Sequence, residues 1–192
     1  MKKQLTYLLG VIVLLASCAI APPKEDLDKA KASLAKAEEV NAQEYAANDY
    51  NEAKKMITDG EKVMTKEESR DNRDARSNFE DAAEKADEAY NKALPKHTDK
   101  TVDDGKKAVT EAEAIKANVA VKAEYDQAVK SLKEAEAYKA KKDYKNALIK
   151  AKEAKSYADN AAQKAKDMKV KAENAIGEVQ EKIDQLEKDL SQ

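Results

Sequence analysis

The chain has 192 residues, enough for one domain or two small ones, and its four Gly, three Pro and absent Trp leave little material for a β-rich fold. Charged side chains make up 39% of the sequence but nearly cancel, with 36 Lys and Arg against 38 Asp and Glu and a formal net charge of −2. This balance excludes a global field that would attract nucleic acid, and the composition predicts an all-α protein with a solvated surface.

The first residues have the organisation of an export signal. Lys2 and Lys3 form a positive start, and the apolar run from Leu5 to Ala16 that follows is too short to span a bilayer comfortably. We interpret residues 1–17 as a signal peptide that is cleaved between Ser17 and Cys18. A secretory peptide that happens to end in cysteine and an uncleaved anchor helix are the alternatives.

The end of this run carries a recognisable motif. Leu15-Ala16-Ser17-Cys18 resembles the lipobox of bacterial lipoproteins, in which the cysteine receives diacylglycerol. Cys18 is the sole cysteine of the chain, which excludes an internal disulfide. The resemblance implies a protein tethered to a membrane by acyl chains such as palmitate on Cys18. Under the enteric-type sorting rule, Ala19 implies the outer membrane, on its periplasmic face or at the cell surface, in preference to the inner membrane.

The mature chain is expected to begin with a short spacer and to continue as helix. Pro22 and Pro23 disfavour helix, so residues 18–25 are predicted to form an extended spacer after the lipid. From Leu27 onward, apolar residues recur at intervals of three and four, which is the period of an amphipathic helix. Ala, Lys, Glu and Gln fill most other positions, and their high helix propensity agrees with this pattern.

The helical body contains an internal repeat. Tyr50-Asn51-Glu52-Ala53 matches Tyr125-Asp126-Gln127-Ala128 at an offset of 75 residues, and Phe79-Glu80-Asp81-Ala82 matches Tyr144-Lys145-Asn146-Ala147 at an offset of 65. The first copy therefore contains ten additional residues. We expect elongated antiparallel helical hairpins, one per copy, arranged either as a four-helix bundle or as tandem coiled-coil-like hairpins.

The repeat and the turn-forming residues predict the domain limits. These are hairpin 1 at 26–94 with a turn near 68–74, a linker at 95–103, and hairpin 2 at 104–192 with a turn near 141–143. Asp143 is the predicted N-cap of a helix that starts at Tyr144. The turn of hairpin 1 is expected at a polar tip near Arg70 and Arg73.

Two further boundary signals lie in the first copy and the linker. Thr101, Asp103 and Asp104 are candidate N-caps for the helix that follows the linker. Gly60 and the capping-box spacing Thr65-x-x-Glu68 mark an earlier break as an alternative to the turn near 68–74.

The tyrosines of the body fall at repeat positions beside alanine. We interpret them as core residues that bury the ring and expose the hydroxyl, with a ligand-stacking platform as the alternative. They are Tyr45, Tyr50, Tyr90, Tyr125, Tyr138, Tyr144 and Tyr157.

The last part of the chain has a heptad pattern. The apolar residues of this seam, at 176–190, are Ile176, Val179, Ile183, Leu186 and Leu190. Such a seam needs a partner helix. We interpret it as packing against Leu27, Leu34 and Val40 of the first helix, with self-association or docking of another protein as the alternative.

The residue types of a catalytic or metal site are scarce. His97 is the only histidine and is expected in the solvated linker after Pro95, while Cys18 is occupied by lipid. Adjacent carboxylates such as Glu38-Glu39 are interpreted as parts of a solvated face, and no Gly-rich phosphate loop appears. The sequence predicts no enzymatic activity, no metal, no cofactor and no nucleic-acid partner.

The order of the tyrosine-containing helices carries a resemblance to a class of bacterial lipoproteins. A Tyr-x-x-Ala helix followed by an Asp-Tyr-x-x-Ala-type helix, over about residues 30–166, resembles the Ala-, Lys- and Tyr-rich helical repeat lipoproteins. This resemblance implies shape and location and transfers no functional residue. We expect an anchored structural or protein-interaction scaffold, whose partner surface is the seam or the tip at Arg70 and Arg73, and whose partner is an envelope protein or a second copy. A module that holds an apolar or peptide ligand between its helices is the alternative.

Overall fold

The structure, a computed structural model, describes residues 21–64 and 69–191, and over these residues the all-α fold class is confirmed. The helices are α1 (Lys24–Glu39), α2 (Ala42–Tyr45), α3 (Ala47–Met64), α4 (Ser69–Ala114), α5 (Ala117–Ala120), α6 (Lys122–Ala140) and α7 (Tyr144–Leu190). The predicted signal peptide, the lipidation site Cys18 and the start of the spacer lie outside the described residues. Within the described ranges, no helix has the length and apolarity needed to cross a membrane.

The chain divides into two compact units, Met1–Leu94 (unit 1) and Pro95–Gln192 (unit 2). The division falls at the position where the repeat placed the end of hairpin 1. Within the described residues, each unit contains three long helical segments where the sequence predicted two, because the first arm of each predicted hairpin folds back on itself. In unit 1 the arm becomes α1 and α3, and in unit 2 it becomes the later part of α4 and α6.

A break with a one-turn helix separates the long segments in each unit, and the two breaks occupy equivalent repeat positions. Asn41 and Lys116 adopt left-handed conformations, with φ of 55° and 64°, just before α2 and α5. Ala46 and Val121 end these short helices with φ of −145° and −139°. Both pairs are 75 residues apart, so the backbone follows the repeat found in the sequence.

A tyrosine–glutamate pair spans each break. The Tyr50 hydroxyl donates a hydrogen bond to Glu38, and this bond together with burial raises the pKa of Tyr50 to about 12. In the second copy, burial and the nearby Glu113 carboxylate raise the pKa of Tyr125. The two pairs are again separated by 75 residues, so these tyrosines help to fix the fold-back of each arm.

The Tyr50 pair gives a prediction for alkaline stability. A raised pKa means that the folded state favours the neutral phenol, so the stabilisation is complete below pH 10 and is lost as the pH rises through about 12. The free energy of unfolding of the wild type should exceed that of Tyr50→Phe at pH 9, and this difference should shrink by pH 12. Tyr157→Phe is the control, since Tyr157 is 37% exposed. A Tyr50 difference that stays constant over this range would contradict the pairing.

Unit 1 is an antiparallel bundle with an alanine-rich core. The Lys31 ammonium lies 2.7 Å from Glu61, which sets α1 against α3, and Lys92 lies 2.9 Å from Asp49, which sets α3 against α4. Methyl groups at the contacts let helix axes approach closely. The core residues that share one cluster are Ala30, Ile57, Ala75, Phe79, Ala82 and Ala83.

Unit 2 repeats this arrangement with even smaller core side chains. The Lys106 ammonium lies 2.9 Å from Glu136, and this pair is the counterpart of Lys31 and Glu61 at the offset of 75. Lys164 pairs with Glu124 and sets α6 against α7. One cluster of buried residues in this unit consists of Ala108, Val109, Ala112, Ala117, Ala128, Ala158, Ala161 and Ala165.

The predicted linker at 95–103 is wrong, because α4 continues through Pro95 to Ala114. Proline removes one backbone hydrogen bond from a helix, but burial on both sides of this position outweighs that loss. Thr98 is fully buried and its hydroxyl donates to the Tyr144 carbonyl at 3.1 Å. Val102 is also fully buried. His97, expected in a solvated loop, is therefore a half-buried helical residue.

The predicted caps after the linker do not start a helix. The Thr101 hydroxyl donates to the His97 carbonyl at 2.7 Å, four residues back within the continuous helix. Asp104 pairs with Lys100 on the same helix. Thr101, Asp103 and Asp104 are therefore interior positions of α4.

The turn predicted near 68–74 also needs correction. Arg70 and Arg73 lie in α4, which begins at Ser69, so both are helical residues, and the alternative boundary signal at Thr65-x-x-Glu68 lies outside the described residues. The ten additional residues of the first copy do not lengthen its α3 relative to α6, because the two helices have 18 and 19 residues. The addition is instead the start of α4, where Asn72 and Ala75 extend its buried face at helical spacing.

The second turn lies where the repeat placed it. α6 ends at Ala140 and α7 begins at Tyr144, with Lys142 in a left-handed conformation at φ 59°. The Asp143 carboxylate accepts hydrogen bonds from the backbone N–H of Asn146 at 3.3 Å and from its amide at 2.7 Å. Asp143 is thus the N-cap of α7.

Candidate interaction surface on the C-terminal helix

The helix α7 changes character at Ala165. Up to this point, the residues that face the core of unit 2 are Ala147, Leu148, Ala151, Ala154, Ala158, Ala161 and Ala165. From residue 166 to residue 191, every position is exposed. The described residues therefore cover the first part of α7 and leave its last part without a packing partner.

Five apolar side chains form a row on this uncovered part, and we call them the C-terminal stripe. Their exposed fractions are 68% for Ile176, 55% for Val179, 43% for Ile183, 61% for Leu186 and 86% for Leu190. Spacings of three and four place them along one side of the helix. Scattered exposed apolar residues are ordinary, but a contiguous row at heptad spacing is typical of a helix-binding surface.

The residues of the first helix that were expected to cover the stripe are packed within unit 1. Leu27 and Leu34 pack against the core cluster of unit 1, and Val40 is 4% exposed at the end of α1. The physical reason is the fold-back of the arm, because α1 is covered by α3 and α4 and has no apolar face left for the stripe.

Polar side chains flank the stripe and support the helix that carries it. The Gln180 amide donates to Asp184 at 2.8 Å, the Gln185 amide donates to Asp189 at 2.8 Å, and Lys169 lies 3.7 Å from Glu173. Each of these pairs is four residues apart, a spacing that stabilises exposed helices by a few tenths of a kcal/mol. The helical form of this segment therefore has local support in the absence of a packed core.

The arginines predicted as a second partner surface belong to unit 1. Arg70 and Arg73 are exposed on the first turns of α4. The next arginine, Arg76, donates from its Nε to Asp26 at 3.1 Å. No apolar row accompanies Arg70 and Arg73 on the described surface of α4, so they offer charge without the burial that drives most association.

One depression on the described surface lacks the opposing walls of a ligand site. A depression of about 460 Å³ has the size of a small-molecule site, but its six lining residues, Asp126, Val129, Lys130, Lys133, Glu134 and Ala137, all belong to α6. One side of a single helix supplies no opposing wall. Among the tyrosines predicted to be core residues, Tyr50 is 7% exposed and bonded to Glu38, whereas Tyr157 is 37% exposed and is not a core residue.

No group of His, Cys, Asp and Glu within the described ranges is arranged to hold a metal ion. The chain matches no protein-family model, and searches of the curated proteins and of the solved structures found no significantly similar chain.

Proposed function

We propose that this protein is a lipid-anchored, non-enzymatic scaffold of the bacterial envelope, which binds a protein partner through the C-terminal stripe. The observation that carries the proposal is the exposure of five apolar side chains in heptad register on a helix segment that the described residues leave uncovered. Complete burial of one such side chain is worth about 1.5–3 kcal/mol, so a partner helix would gain substantially by covering the row.

The anchor in this proposal comes from the sequence. Leu15-Ala16-Ser17-Cys18 follows a positive start and an apolar run, in the order that lipoprotein processing requires. A single acyl chain binds membranes only marginally, whereas the two or three chains of a bacterial lipoprotein hold a protein firmly. Ala19 favours the outer membrane as the site of attachment.

Cys18→Ala is expected to abolish acylation. Mass spectrometry of the wild-type chain should show a product that begins at Cys18 and carries acyl chains, and membrane fractionation should place it in the outer membrane. The Cys18→Ala chain should lack the acyl mass and be lost from that fraction. Ser17→Ala is the matched control, because it keeps a small residue before the cysteine and should still be acylated. A wild-type product without acyl mass would contradict the anchor.

A chain that ends at Asp167 tests the partner surface. Residues 168–191 are exposed throughout the described structure, so the free energy of unfolding of the shortened protein should match that of the full-length protein within about 0.5 kcal/mol in thermal unfolding. Chemical cross-linking in intact cells, read out by mass spectrometry, should give a specific protein adduct for the full-length chain and none for the shortened one. Equal adducts from both chains would locate the partner surface elsewhere.

A further inference from the structure

We infer that the C-terminal stripe binds the same stripe of a second copy of this chain, forming a parallel two-stranded coiled coil. The inference rests on the proposed function, because it names the partner of the proposed scaffold and uses the membrane anchor to bring copies together. The grounds are the side chains at the heptad positions, the charges that flank them and the length of the row.

Three of the five heptad positions carry the residue types that favour two strands. Ile176, Ile183 and Leu190 occupy the a positions, and Val179 and Leu186 occupy the d positions. In parallel dimers, β-branched residues at a combined with Leu at d favour a two-stranded over a three- or four-stranded assembly. Ile176 and Ile183 at a and Leu186 at d match this rule, whereas Val179 at d and Leu190 at a depart from it.

The flanking charges favour a parallel orientation. Lys182 lies at position g and Glu187 at position e of the next heptad, and in a parallel coiled coil these two positions of opposite chains adjoin. Two-fold symmetry produces this attractive pair twice. The described structure gives neither side chain an ion pair within its own chain. An antiparallel arrangement would instead set e positions against e positions, including Glu173 of one copy near Glu187 of the other.

The length of the row explains why an anchor matters. The stripe covers about two heptads, whereas independent coiled coils usually need three or four. The heptad before Ile176, on the side nearer the core of unit 2, has Lys169 at a and Ala172 at d. The apolar row therefore does not continue in that direction. Confinement of copies to one membrane raises their effective concentration, which strengthens a weak contact without any new interaction.

Disulfide trapping in membranes tests the arrangement directly. Leu186→Cys places a thiol at a central d position, and the native Cys18 is occupied by lipid. In a parallel, in-register dimer the two copies of residue 186 face each other, near the Cα separation of about 4.4–6.8 Å that a disulfide requires. Mild oxidation should give a covalent dimer of the Leu186→Cys chain.

Glu181→Cys is the matched control for this experiment. Residue 181 occupies position f on the opposite side of the helix and is also exposed. It should give at least about tenfold less dimer than Leu186→Cys, because f positions point away from the partner in a two-stranded coil. Equal cross-linking at both positions would indicate random collision and overturn the inference.

Charge reversal tests the orientation in the same Leu186→Cys background. Lys182→Glu and Glu187→Lys should each reduce the dimer yield roughly threefold, because each creates two like-charge contacts. Combining both reversals should restore the yield, an outcome that a merely structural role of either residue would not produce. A double variant no better than the single ones would overturn the parallel arrangement.

The same samples separate this inference from the proposed function. Acylated, membrane-bound chain that yields no Leu186→Cys dimer, or that cross-links through residue 186 to a different protein, overturns self-association and leaves the anchor in place. Unacylated chain in the soluble fraction overturns both. Acylated chain with a dimer at residue 186, none at residue 181 and recovery by the double charge reversal supports both.

Discussion

Replacing Phe79 with alanine is expected to destabilise unit 1 by about 3–5 kcal/mol. Phe79 is the sole phenylalanine of the chain, it is fully buried, and it shares a cluster with Ala30, Ile57 and Ala82. In a core built mostly of methyl groups, one aromatic ring supplies a large share of the buried apolar area. Neighbouring alanines are too short to fill the cavity that its removal leaves, so the loss should lie in the upper part of this range.

Urea unfolding of the full chain, followed by circular dichroism, measures this effect. Tyr144→Ala is the matched control, because Tyr144 occupies the equivalent repeat position but is only partly buried at the start of α7. The Tyr144 variant should lose clearly less stability than the Phe79 variant. Equal losses at the two positions would contradict the assignment of Phe79 as the central core residue of unit 1.

Gly60→Ala is expected to destabilise unit 1 by about 1–3 kcal/mol, although the same change usually stabilises a helix. A Cβ atom at residue 60 would lie 2.5 Å from Cε1 and 2.9 Å from Cδ1 of the Phe79 ring. The ring is held in a filled core and cannot move away without strain. Gly60 is therefore present in α3 to make room for Phe79.

Gly105→Ala supplies a control of opposite sign. A Cβ atom there would meet the Ala151 carbonyl oxygen at 3.5 Å and Leu132 Cδ1 at 3.6 Å, which are ordinary contacts. Alanine also occupies the equivalent position of the first copy, Ala30. This substitution should raise the free energy of unfolding by about 0.5–1 kcal/mol. A change of the free energy of unfolding in the same direction for Gly60→Ala and Gly105→Ala would contradict this explanation of the two glycines.

A double variant locates the cause of the Gly60 effect. If the clash with the Phe79 ring is responsible, Gly60→Ala combined with Phe79→Leu should cost less than the sum of the two single changes, because a leucine leaves space beside residue 60. Strict additivity would mean that Gly60 is needed for another reason.

The helices and the repeat could be predicted because both depend on local pattern. Ala, Lys and Glu at helical spacing define the faces, and Asp143 carries a capping signal that the fold uses. The backbone breaks at Asn41 and Lys116 could not be predicted in the same way. Asparagine tolerates the left-handed conformation, but lysine at the equivalent position gives no such signal, so tertiary packing determines the break.

Local rules misplaced two boundaries for the same reason. Pro95 and the polar residues after it are typical of a linker, yet Thr98 and Val102 are buried and keep the helix continuous. Polar residues near Arg70 are typical of a turn, yet Ala75 continues the buried face of α4 and the helix starts before it. In both places burial of a few small side chains outweighs the local preference.

The sequence could predict which residues form the C-terminal stripe, but it could not predict that they are exposed. Heptad spacing identified the stripe, because period alone determines which side of a helix is apolar. Period does not determine what covers that side. The first helix had matching apolar residues at Leu27 and Leu34, but the break at Asn41 turns α3 onto them within unit 1.

Site-specific photo-cross-linking in living cells tests the central claim, that the C-terminal stripe is the surface through which this protein binds its partner. A photoreactive residue at Ile183 should give one discrete protein adduct, and the same residue at Glu181, on the opposite side of the helix, should give none. Adducts of equal yield at both positions, or no adduct at Ile183 from chain that is present in the membrane, would contradict the claim.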